Sequence, residues 1–107
     1  MPAIPYAITT DTADKFEFSF PLHPSTSSAL RVHQLLEMLI DQLSRDVREI
    51  ETANGDVLQA LAMAIAVRSR MIGAAPDVTA KLASDLVATA LKAAAEADSW
   101  QPPVGHA

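Results

Sequence analysis

Imidazole and carboxylate side chains one helical turn apart offer metal or acid–base chemistry most directly, and this chain has one such row. His33 and Glu37 stand at i,i+4 with Asp41 a further turn along, so a helix would place all three on one side. The other histidines, His23 and His106, fall in neither the His-Glu-x-x-His nor the Glu-x-x-His spacing of zinc and di-iron sites. No second cluster completes a coordination shell. The row reads as an exposed polar edge with a His–Glu hydrogen bond, and no metal or cofactor is expected.

Nucleophilic catalysis has no better footing. Ser25, Ser27 and Ser28 cluster where a helix would open, and helix capping accounts for them. A Gly-x-Ser-x-Gly elbow is absent, and glycine occurs only at positions 55, 73 and 105, so neither phosphate-cradling loop pattern exists. Asp46 and Glu49 could pair as acid and base, but they sit in a stretch charged throughout. No catalytic residue is assigned, and the expectation is a protein that is not an enzyme.

Charge bears on partners. Thirteen acidic against eight basic residues give a formal charge of −5, which repels a phosphate backbone. The stretch Met71–Asp77 could join two helices as in a helix-turn-helix, but the helix after it would display Asp77, Thr79, Lys81, Ser84 and Asp85. A DNA-reading helix needs basic and amide side chains there. The basic triplet Arg68 to Arg70 suits the negative end of a helix dipole instead. No nucleic acid partner is expected.

The elements that must carry these residues follow from hydrophobic spacing. Ile4, Tyr6 and Ile8 alternate with Pro5 and Ala7, and Phe16, Phe18 and Phe20 alternate with Lys15, Glu17 and Ser19. Both predict short half-buried strands, joined by the polar run Thr9–Asp14 as a hairpin. Pro5 lacks an N–H and suits only an edge. A lone hairpin is marginal in water, so this arm is expected to clamp the helices or to reach across to another copy.

After Pro24 the apolar positions Val32, Leu36, Leu39, Leu43, Val47 and Ile50 recur at spacings of three and four, predicting a first helix. Asn54-Gly55 is read as its C-cap, with Asp56 capping a central helix and Gln59 in the return position of a capping box. That central helix, through Val57 to Val67, has Gln59 as its only polar side chain; a helix apolar all round must be wrapped on several sides. It ends at Gly73. A third helix opens near Pro76-Asp77, carries Val78, Leu82, Leu86, Val87 and Leu91 on one side, and becomes Ala-rich beyond Leu91.

The predicted fold is mainly α: a three-helix antiparallel bundle over residues 25–99, an extended arm or short β-hairpin over 1–24, and a mobile tail over 100–107, with dimerisation completing the core. Trp100 could fold back from the tail as a lid. No run reaches the ~20 apolar residues of a membrane span, and the N-terminus lacks signal-peptide character. With no cysteine in the chain, a cytoplasmic protein is expected.

The favoured function is that of a homodimeric interaction module acting as regulator, adaptor or accessory subunit. Its partner would be a second copy of itself, with another protein as a further possibility and no membrane. The interface is expected at Leu36, Leu39, Leu43, Met63 and Val67, with Phe16, Phe18 and Phe20 from the arm. The alternative is a small-molecule binder or minor enzyme with an apolar pocket between helices, built from His33, Met38, Met63, Arg68, Met71 and Trp100. Attachment to a lipid or polymer surface is a third reading, against which the acidic or mixed helix faces weigh.

Overall fold

The computed structural model describes residues 2–102. Element order is β1 (Ala3–Thr9), β2 (Lys15–Pro21), α1 (Ala29–Ile50), α2 (Asn54–Met71), α3 (Pro76–Ala95) and β3 (Asp98–Trp100). The protein is thus mainly helical, with an antiparallel three-stranded sheet in the order β1-β2-β3. No described helix is long and apolar enough to cross a membrane. The chain divides into two compact units, one of residues up to Ala29 and from Val87 onward, the other of Leu30–Leu86.

In the first unit the alternating pattern becomes a hairpin. Ile4 pairs with Phe20, Tyr6 with Phe18 and Ile8 with Phe16, so the large apolar side chains of both strands fall on one face. Ile4 is 7% exposed, and it and Ala93 are the buried hydrophobic residues among those described. Pro5 lies in β1, an edge strand, where its missing N–H is tolerated.

The turn is closed by its own polar groups: the Ala13 N–H donates to the Thr10 carbonyl at 2.9 Å and the Thr10 N–H to the Asp14 carbonyl at 2.8 Å. Thr12 Oγ1 donates to Asp14 Oδ2 at 2.9 Å. Ala13 has φ 67°, the left-handed residue that ends such a turn.

β3 is the first departure from expectation. Lys15 pairs with Trp100, Phe16 with Ser99 and Glu17 with Asp98, so Trp100 is a strand residue of the sheet and not a lid from a mobile tail. Three residues are too few to show alternation in a sequence, and the aromatic ring favours the strand once β2 offers an unpaired edge. The remainder of the expected tail, from residue 103, lies outside the described residues.

The second unit holds α1, α2 and the start of α3. The segment before α1 is tied by His23, whose Nδ1 accepts the Ser25 N–H at 3.0 Å and whose carbonyl accepts the Thr26 N–H at 2.8 Å. The junction between α1 and α2 differs from the predicted one. α1 ends at Ile50, and the left-handed residue after it is Glu51 at φ 62°. Thr52 Oγ1 donates back to Asp46 Oδ2, which fixes the turn. Asn54 and Gly55 are therefore the first turn of α2 and not the C-cap of α1.

α2 starts after Ala53, with no side-chain cap. Asp56 falls inside the first turn, where its charge still meets the positive end of the dipole. α3 begins at Pro76, as a first-turn proline should. Thr79, 5% exposed, donates its hydroxyl to the Pro76 carbonyl at 3.2 Å, so its burial leaves no unpaired oxygen donor.

The expected enclosure of the central helix is not met within one chain. Neither α1 nor α2 contains a buried residue, and only Val57, Leu61 and Ser69 of α2 are even partly covered. The rest of α2 is exposed, although the helix is apolar on more than one side.

Candidate interaction surface

Along α1 the partly buried residues are His33, Leu36, Ile40, Leu43, Asp46 and Val47. All but Asp46 follow spacings of three and four and form one continuous stripe. His33 therefore sits on the covered apolar stripe, while Glu37 and Asp41 are exposed. The three do not form one exposed polar row, and Asp41 is engaged by Arg45 at 3.1 Å. Among the described residues no group of three histidine, aspartate or glutamate side chains is placed to hold a metal ion.

The predicted α1 seam divides in two. Leu36, Leu43 and Val47 lie on the covered stripe, whereas Val32, Leu35, Leu39 and Ile50 stand exposed on the adjacent flank. Ion pairs outline the polar side: Asp41–Arg45 on α1, and Lys81–Asp85 at 3.0 Å on α3. Both are exposed i,i+4 pairs, each contributing a few tenths of a kcal/mol, on the order of 0.3–0.5.

On α2 the partly covered pair Val57 and Leu61 marks one side. About a third of a turn round the helix, at spacings of four and three, come Asp56, Ala60, Met63, Val67 and Arg70. All five are exposed, Met63 at 58% and Val67 at 59%. On the opposite flank Leu58, Ala62 and Ile65 are exposed as well. Leu58 and Ile65 were not singled out by sequence pattern, because a helix apolar all round gives no moment by which to choose a face.

The predicted pocket residues are placed as follows. Arg68 Nη1 donates to Met71 Sδ at 3.7 Å, which brings two of them together at the end of α2. Met38 and Met71 are exposed, as is Met63. Trp100 belongs to the sheet, where Lys15 Nζ lies 5.7 Å from its ring centroid.

The arm residues Phe16, Phe18 and Phe20 form a row along β2. Phe18 and Phe20 stack with centroids 5.3 Å apart and planes at 9°, and Phe16 lies 6.3 Å from Phe18. Tyr6 on β1 completes the cluster at 6.3 Å from Phe18. All four rings are partly buried. Such a face is held by ring–ring contact across and along the strands.

Comparison with known protein families, with characterised proteins and with solved structures finds no match.

Proposed function

We propose that the protein is a non-enzymatic helical interaction module that works as a homodimer, in the role of regulator, adaptor or accessory subunit. The second copy covers, around α2, the apolar surface that a single chain leaves exposed. The observation that carries this reading is the exposed apolar surface of α1 and α2: Leu35, Met38, Leu39, Leu58, Met63, Ile65 and Val67 all face solvent in the single chain.

The chemistry-bearing residues support a non-catalytic role. His33 lies on a packing stripe, Asp41 and Asp85 are in surface ion pairs, and Asp46 is a turn acceptor. The lack of cysteine fits a reducing, cytoplasmic setting. Light scattering over a range of concentrations tests the reading: the expected mass is twice the 11.4 kDa of the chain, and a monomer at every concentration would overturn it.

A further inference from the structure

The exposed seam of α2 has an internal symmetry in its chemistry. Its centre is Met63; Asp56 lies seven residues before it and Arg70 seven residues after. Both charged residues are exposed, and so are Ala60 and Val67 between them and the centre. Seven residues are two helical turns, so both charges fall on nearly the same side of the helix as Met63. The seam therefore reads acid, small, methionine, valine, base.

A two-fold axis reverses such a sequence. If two copies of α2 pack antiparallel with the axis at Met63, Asp56 of each copy meets Arg70 of the other. Met63 meets its own counterpart, and Ala60 faces the Ala66–Val67 turn of the other helix. Small side chains beside the centre let the backbones approach, and methionine adapts its shape to fill the gap. A parallel pairing would instead set Asp56 against Asp56 and Arg70 against Arg70, which is repulsive at both ends. The uncharged flank Leu58, Ala62 and Ile65 carries nothing that would set a register.

We infer that the α2 seam Asp56, Ala60, Met63, Val67 and Arg70 is the self-docking surface, occupied by the same seam of a second copy running antiparallel about Met63. The inference rests on the self-association reading above and adds its surface, direction and register. The pairing is isologous, as a closed two-fold dimer requires, and leaves the Leu58–Ile65 flank and the exposed flank of α1 to close around it.

The natural absence of cysteine makes the test direct. Met63→Cys should form a disulfide-linked dimer on mild oxidation, because side chains on the axis approach within the ~3.5–4.5 Å Cβ separation a disulfide needs; Leu58→Cys should not. Asp56→Arg and Arg70→Asp should each raise the dimer dissociation constant, by about tenfold, and Asp56→Arg/Arg70→Asp should restore it. Rescue is informative because both exchanges place charge unfavourably on the helix dipole, so helix stability alone predicts that the double variant is worse than either single one. Circular dichroism of each variant separates loss of helix from loss of pairing.

Light scattering on the unaltered chain keeps the two readings apart. A dimer in which Met63→Cys stays unlinked, or in which the double exchange is no better than the singles, overturns the antiparallel seam and leaves self-association standing. A monomer throughout overturns both.

Discussion

Lys15 stands directly opposite Trp100 in the register of β2 with β3, and its ammonium lies 5.7 Å from the centroid of the indole ring. Two segments more than eighty positions apart in the chain are held side by side by this pair and the strand it belongs to. β3 has three residues and sets Asp98 against Glu17, a like-charge pair that weakens it. The cation and ring offset that repulsion with about 0.5–1 kcal/mol at an exposed site.

The chain's only tryptophan is consequently a reporter of the sheet. Replacing Lys15 with Ala should change the emission of Trp100 and detach β3 before the hairpin unfolds, lowering the first unit's stability by about 0.5–1 kcal/mol. Fluorescence followed through a urea titration checks it. Emission and transition identical to those of the unaltered protein would mean that the pair contributes nothing in solution.

Among the described residues, two with side chains occupy the left-handed backbone region, Ala13 at φ 67° in the hairpin turn and Glu51 at φ 62° after α1. Each costs roughly 1 kcal/mol that glycine would not incur. Ala13→Gly and Glu51→Gly are each expected to stabilise the protein by about 0.5–1 kcal/mol, read as a higher urea midpoint with an unchanged slope. A lower midpoint for Glu51→Gly would show that the Glu51 side chain supports the turn more than its backbone strains it.

Those positions also show where the sequence was legible. The hairpin follows from strict alternation in Phe16, Phe18 and Phe20, the first and third helices from their periodicity and the Pro76 start, and the central helix from its nearly unbroken apolar run. The α1–α2 junction did not, because Asn54-Gly55 is the usual helix-stop signal and here the stop is Glu51 instead; Thr52 bonding to Asp46 fixes a turn that no local propensity encodes. β3 was illegible for want of length. The partial burial of His33 is not legible, because a lone histidine among leucines looks the same on either edge of a stripe. Leu36 and Leu43 share one spacing pattern with Leu39, and nothing in that spacing tells to which side of it the cover falls.

Phe18 is the ring with the most neighbours in the aromatic row, touching Tyr6, Phe16 and Phe20. Replacing it with Ser removes three ring contacts and leaves a hydroxyl on an apolar face. The expected loss is about 1–3 kcal/mol, scaled from partial burial of an aromatic side chain. Calorimetry measures it as a fall in melting temperature. If the arm also reaches a second copy, the mass measured by light scattering falls toward that of the monomer; a fall in melting temperature with the mass unchanged would confine the row to the fold of its own chain.

The last expectation concerns heat. A chain that folds only as a dimer couples unfolding to dissociation, so its melting temperature rises with protein concentration. Its heat-capacity change on unfolding should reach that of an ordinary domain of 107 residues, about 1.3–1.6 kcal/mol/K per chain. A solitary chain that keeps Met63, Val67 and Leu39 in water exposes less new apolar surface when it unfolds, and its heat-capacity change would fall well below that range. Calorimetric scans over a hundredfold span of concentration distinguish the two: a rising melting temperature with an ordinary heat-capacity change means the apolar flanks of α1 and α2 are covered in solution. A fixed melting temperature with a depressed change means that they are not.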